Sequence, residues 1–186
     1  MAKKILIVTD DAGESYEILY AYHRFLEAGW EPAIAATQKK LLNGVIHDFS
    51  PGWNTYIEKP GYLIQSHLAF SQVREREFDA LLLIGGRAPE FLRHDEKLIK
   101  LVRRFHEKDK WMFAICHGIQ VLIAAGVVEG RRVTCYCNVR WEAKAGGAEW
   151  VDQPSVVDGK IITAQTWESH PDFYRNIFNC LAADPG

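Results

Sequence analysis

Short, continuously apolar runs alternate with amphipathic stretches along this chain, and that alternation sets the expected order of elements. Residues 4–9, Lys-Ile-Leu-Ile-Val-Thr, read as a buried first strand. Ile18, Leu19, Tyr22, Phe25 and Leu26 then recur at helical spacing, and Gly29 ends the run, so 14–28 is expected to be a helix. Residues 32–37 predict a second strand. Residues 38–79 are less regular, with Gly44, Pro51-Gly52 and Pro60-Gly61 as turn signals and one strand expected within 62–70. The apolar run 80–84 ends on Gly85-Gly86, the pattern of a central parallel strand. An amphipathic helix over 96–108, a strand over 111–116 and a buried helix over 117–126 follow. Strands are expected at 133–136 and 149–151, a hairpin over 155–163 turning at Asp158-Gly159, and a closing helix over 169–182.

Alternating strands and helices imply an α/β fold: a flavodoxin-like sandwich, its central sheet mostly parallel with helices on both faces. The 186 residues suit a single domain over 1–186, with no repeat and no linker. Ligands of such a sheet bind at the carboxyl ends of the strands, where the loop after Thr9, Gly86 and Cys116 are expected to meet.

Charge narrows the function classes. Lys plus Arg number 22 and Asp plus Glu 24, a net charge of −2, which makes no electrostatic case for nucleic acid or an anionic membrane surface. No apolar run is long enough to span a bilayer. Four cysteines, Cys116, Cys135, Cys137 and Cys180, give no disulfide framework, so a reducing, cytoplasmic setting is expected. Cys135 and Cys137 would share one face of a strand as core residues, and no partner pair completes a metal site.

The run Trp111-Met-Phe-Ala-Ile-Cys-His-Gly118 carries the chemistry. A thiol at a strand-to-helix turn is pushed out at the end of a sheet. It lies beside free N–H groups of a helix N-terminus, which favour the thiolate, so a depressed thiol pKa is expected at Cys116. The plainer alternative is an inert buried cysteine. Glu14 reads, from position alone, as an acid complementing the start of its helix. Glu90 reads as a solvated residue near a helix start.

Gly85-Gly-Arg-Ala-Pro-Glu90, Ala114-Ile-Cys-His-Gly118 and Gly13-Glu14 resemble the PfpI/ThiJ superfamily, relatives of class I glutamine amidotransferases. Ile46-His-Asp-Phe49, Asn54-Thr-Tyr56 and Thr166-Trp-Glu-Ser-His-Pro171 further resemble its plant-type glyoxalase branch, which commonly carries two such domains per chain where this chain has one. The resemblance implies a nucleophile elbow at Cys116 and a catalytic set of Cys116, His117 and Glu14. It sets Glu14 beside the thiol as a protonated donor. Backbone N–H groups of Gly86 and His117 would serve as oxyanion donors, with Glu90 as an acidic partner of His117, in several members across a subunit interface. Tyr136 corresponds to a family active-site tyrosine, and His170 precedes Pro171 in the plant-like signature, with a helix-entry role as its alternative. Among Trp53, Tyr56, Trp141 and Trp167, most are packing residues, with Trp141 kept as a pocket candidate.

The implied reaction is cofactor-free conversion of a small α-oxoaldehyde, such as methylglyoxal, to a hydroxy acid, or deglycation by the same thiol chemistry. The alternatives are a PfpI-type intracellular cysteine peptidase and a non-enzymatic redox-sensing or chaperone protein. The partners expected are an aldehyde or a peptide, and further copies of this chain in a homo-oligomer. Segment 44–66 either forms an interface or caps the sheet.

Overall fold

The computed structural model describes residues 2–183. The chain begins β1 (Lys4–Val8), α1 (Ser15–Glu27), β2 (Glu31–Ala36), β3 (Leu41–Asp48), β4 (Ile57–Gln65), β5 (Leu68–Ala69) and β6 (Ala80–Leu83). It continues α2 (Ala88–Leu92), α3 (Glu96–Glu107), β7 (Trp111–Ile115), α4 (Ile119–Ala125), β8 (Arg132–Val133), α5 (Arg140–Ala145) and β9 (Glu149–Trp150). The hairpin β10 (Ser155–Asp158) and β11 (Ile161–Ala164) and the helix α6 (His170–Ala183) close it.

Seven strands form one sheet in the order β10-β11-β7-β6-β1-β2-β5, parallel except for the β10–β11 hairpin. The apolar runs read as buried strands occupy its centre: Ile5, Leu6, Ile7, Leu81 and Leu82 have no exposed surface. Such strands are apolar on both faces because helices cover both. α1 and α6 pack together through Phe25 against Tyr174 and Phe178, while α3 and α4 pack together elsewhere on the sheet. Right-handed crossovers account for the division: the chain runs one way from β1 to β2 and the other way from β6 to β7. The strand order therefore reverses between β1 and β6, and the crevice at their carboxyl ends is the place where α/β sheets hold ligands. Across that crevice Gly13 pairs with Gly86, joining the loop after β1 to the loop after β6.

Two expectations are corrected. The irregular segment holds an antiparallel pair, β3 with β4, separate from the main sheet. Pro60 and Gly61, taken as a turn, lie inside β4. Pro60 sits where the register shifts between Asn43 and Val45, an irregularity that tolerates a missing N–H. Gly61 is needed there because a Cβ would stand 2.1 Å from Ser15 Oγ and 2.8 Å from the Val45 backbone. The strand expected over 133–136 stops at Val133. A 3₁₀ turn over Cys137–Val139 follows, so the alternation that would have buried both thiols is lost: Cys135 is buried and Cys137 is exposed.

β6 is the fourth of the seven strands, and Leu82 is wholly enclosed there. Leu82→Ala is expected to lower unfolding free energy by about 2–5 kcal/mol, read as a lower urea midpoint at unchanged slope.

Candidate active site

Cys116 directly follows β7, and its backbone is left-handed at φ +56. A non-glycine residue pays about 1–2 kcal/mol for that conformation, and the turn stands where it does because the chain around it is close-packed. A Cβ on Gly85 would lie 2.6 Å from Cys116 Cβ and 2.7 Å from Glu17 Oε2. A Cβ on Gly86, itself at φ +76, would lie 2.4 Å from Ala12 O. Glycine at both positions lets three loops converge on the thiol. The sharp turn expected at the cysteine is thus present in the backbone.

The thiol is nearly enclosed, with Cys116 only 4% exposed. His117 Nδ1 lies 3.3 Å from Sγ, so the adjacent pair does meet. Backbone N–H groups of His117 and Gly86 donate to Sγ and pull its pKa down. Burial pushes the thiol up more strongly, and a charged Glu17 would push further, so the simple expectation of a depressed thiol pKa is corrected. Whether the thiolate forms depends on Glu17 remaining neutral.

Glu17 is the residue the sequence reading missed. Its Oε2 accepts from Gly85 N at 2.8 Å, and its Oε1 is buried with no hydrogen-bond partner. Burial, and then the charge of Glu14, hold its carboxyl well above the usual carboxylate range. A neutral carboxylic acid at pH 7 carries a proton on Oε1 and removes the repulsion. The signal was present in the sequence: Glu17 falls on the stripe of Ile18, Ala21 and Phe25, an acid on the buried face of its helix.

Glu14 does what its position alone suggested. It is the N-cap of α1, and its carboxylate accepts from Glu17 N at 2.6 Å. Burial raises its pKa, with N–H groups of Glu17, His47 and Tyr16 opposing. Its charge reaches the thiol more weakly than that of Glu17, so the place beside Cys116 belongs to Glu17.

His117 is pushed down to about 4, first by burial and then by His47, and is neutral at pH 7. Its ring lies 5.2 Å from Tyr136, which is buried and whose hydroxyl meets Thr55 Oγ1 at 3.4 Å and Asn138 Nδ2 at 3.1 Å. Tyr56 stands edge-on to His117 at 5.7 Å and stacks flat on His47 at 3.8 Å. His47 Nε2 lies 3.0 Å from Glu58, which Arg87 clamps through two bonds of 2.6 and 2.7 Å. His47, Glu58 and Arg87 had no assigned role in the sequence, because a cross-strand pair in β3 and β4 leaves no local spacing to read.

Three candidates fall elsewhere. Trp141 is 75% exposed at the start of α5. His170 opens α6 and packs among Tyr16, Tyr20 and Tyr174, in agreement with the helix-entry alternative. Glu90 is exposed on α2. Its charge is felt at His47, Tyr56 and Arg87, and among the described residues it forms no ion pair with His117.

The DJ-1/PfpI family model matches residues 3–179. The chain belongs to the DJ-1/PfpI family. A relative named deglycase TK1284, from Thermococcus kodakarensis, is 39% identical over 92% of this chain and 93% of its own length. Protein DJ-1 homolog D of Arabidopsis thaliana is 33% identical over 96% of this chain, which spans 48% of that longer protein. The fold matches the ThiJ/PfpI domain protein of Brachyspira murdochii with a TM-score of 0.83, at 23% identity over 98% of both chains. The likeness to both PfpI-type and plant-type members expected from the motifs is thus found. No described helix is long and apolar enough to cross a membrane.

Two tests follow from this geometry. Glu17→Gln keeps a neutral donor and should leave alkylation of Cys116 near the wild-type rate. Glu17→Leu should slow it by roughly 10- to 100-fold at pH 7, the worth of the one hydrogen bond that a protonated Oε1, otherwise without a partner, would donate to a charged sulfur. Equal rates in both variants would remove Glu17 from thiol activation. His170, held at about 4 by burial with both ring nitrogens unpartnered, binds fewer protons folded than unfolded between pH 4 and the ordinary value of 6.5. Stability therefore falls as pH drops through that window. His170→Phe keeps the ring packing and escapes the penalty, so its melting temperature should gain on wild type from pH 7 to pH 5.

Proposed function

We propose that this chain is a cysteine-dependent enzyme of the glyoxalase/deglycase type, converting small α-oxoaldehydes to 2-hydroxy acids with its own side chains. The observation that carries the reading is the thiol of Cys116 held 3.3 Å from a neutral His117 and packed beside a neutral Glu17. A nucleophile, a base able to accept a proton, and an acid able to keep one are the three parts the reaction needs.

Cys116 sulfur adds to the aldehyde carbon, and the carbonyl oxygen takes the proton that leaves the thiol to give a hemithioacetal. Neutral His117 removes the proton from that carbon and passes it to the adjacent ketone oxygen, forming an enediol. The proton on the first oxygen leaves as the neighbouring carbon takes one, which yields the thioester of a 2-hydroxy acid. Water attacks the thioester carbon, with the oxyanion held by the N–H groups of Gly86 and His117. The carbon–sulfur bond breaks, releasing the acid and restoring the thiol. Glu17 keeps its proton throughout and stabilises the thiolate between cycles. Relatives named deglycases support the same first step, addition of the thiol to an aldehyde-level carbon.

Near-complete enclosure of Cys116 favours a small substrate over a peptide chain, which would need an open groove. The family resemblance gives exposed Glu90 the role of acidic partner to His117 of a second copy, and a homo-oligomer belongs to this reading.

Purified protein is to be assayed on methylglyoxal and on a fluorogenic peptide side by side. Lactate formation without peptide cleavage is expected. Cys116→Ser should fall at least about 1,000-fold, because a serine hydroxyl is not ionised in this site, while its unfolding transition stays cooperative. Activity of Cys116→Ser within a few-fold of wild type, or peptide cleavage alone, would sink the proposal.

A further inference from the structure

One side of the site is lined by a half-buried ring that meets His117. Tyr56 closes the end of the loop between β3 and β4, a loop whose residues 51–55 are exposed. Its ring stands edge-on to His117 and 5.9 Å from Tyr136, while its other face lies on His47 at an interplanar angle of 13°. The phenol is pushed up by burial first, then by Glu90, Glu58 and Cys116, so it is an uncharged group within electrostatic reach of the thiol. His47, 2% exposed, is the seat of this ring, and Glu58 with Arg87 fixes it from behind. The seat is rigid, being a cross-strand pair locked by a two-pronged ion pair. The loop tip is exposed and is tied across the site by Asn138 Nδ2 to Asn54 O at 3.1 Å and by the long Tyr136–Thr55 contact.

We propose that Tyr56 sets the size limit for what reaches Cys116, closing over the thiol with its ring seated on His47; this deepens the small-aldehyde reading and rests on it for the identity of the substrate. A half-buried ring at the end of an exposed loop, in contact with His47, His117 and Tyr136, swings out to admit a small carbonyl and returns over it. Return excludes water while the hemithioacetal and enediol exist. A substrate with a bulky substituent holds the ring away from its seat and forfeits the stack. Tyr56 is thus a specificity-determining residue, and His47 is a positioning residue that acts through it.

The test reads access to the thiol without requiring turnover. Alkylation of Cys116 by iodoacetamide and by fluorescein-5-maleimide is followed by mass spectrometry of the Cys116 peptide, since exposed Cys137 also reacts. Rates are compared with the same two reagents on a free cysteine peptide. Relative to that standard, wild type should disfavour the bulky reagent by about tenfold or more, the scale set by losing an aromatic contact. Tyr56→Phe should keep this discrimination and Tyr56→Ala should abolish it. Asn138→Ala, which frees the loop tip and leaves the ring intact, should weaken it and serves if Tyr56→Ala does not fold. In turnover, the ratio of kcat/KM for phenylglyoxal over methylglyoxal should rise in Tyr56→Ala. Equal relative rates for the two reagents in wild type, or unchanged discrimination in Tyr56→Ala, overturn the proposal. Size-selective alkylation in a protein with no oxoaldehyde activity would instead overturn the function and leave the role of Tyr56 standing.

Discussion

Two acidic groups share one enclosed space in this protein, and only one of them can ionise. Cys116 and Glu17 both pack against the position that a Cβ on Gly85 would fill. Burial disfavours the charged form of each, the charge of Glu14 raises Glu17 further, and a charged Glu17 would raise the thiol further. Two backbone N–H groups and the His117 ring favour charge on sulfur, whereas Glu17 has a single N–H from Gly85. Ionisation of the sulfur therefore requires the proton to stay on the Glu17 carboxyl. The chemistry proposed for the site depends on this division, because a charged Glu17 would add its repulsion to the burial that already opposes the thiolate.

The fold maintains that division through backbone geometry more than through side-chain contacts. Reversal of strand order between β1 and β6 brings their following loops together, and the Gly13–Gly86 pairing fastens them. The left-handed turn at Cys116 then projects the thiol into the gap between those loops. Glu14 contributes from one step back: as N-cap it fixes the start of α1, and the start of α1 fixes where Glu17 points. The β3–β4 pair supplies the outer wall, and its Tyr56–His47 stack governs how much of the thiol solvent can see. An ion-paired seat below and an exposed loop above suit a reaction that needs exact orientation of its groups and exclusion of water only after the substrate has entered.

Much of this was legible along the chain. Continuous apolar runs such as 80–84 mark strands buried on both faces, because only a covered parallel sheet hides both sides of a strand. The turn at Cys116 was legible because a thiol, a histidine and a glycine follow an apolar run and precede another. The β4 strand was not, because Pro60-Gly61 reads as a turn unless an irregular pairing with Val45 is known to accommodate it. Cys137 was misplaced for a related reason: alternation predicts a shared face only while the strand lasts, and it ends at Val133.

Sequence alone determined the α/β order, the turn at Cys116 and the family, since each rests on local periodicity or on a contiguous motif. Tertiary structure decided which acid serves the thiol. Glu14 and Glu17 lie three residues apart on one helix start, and nothing in their spacing tells a cap from a buried donor. The helix sends the first to its own N-terminal amides and the second under the loop at Gly85. It also decided that Trp141 faces solvent, that His170 sits in a tyrosine cluster, and that His47, Glu58 and Arg87 back the wall around Tyr56. Those placements depend on which surfaces are brought together across the fold, and burial and charge act through distance in space, which a linear order of residues does not contain.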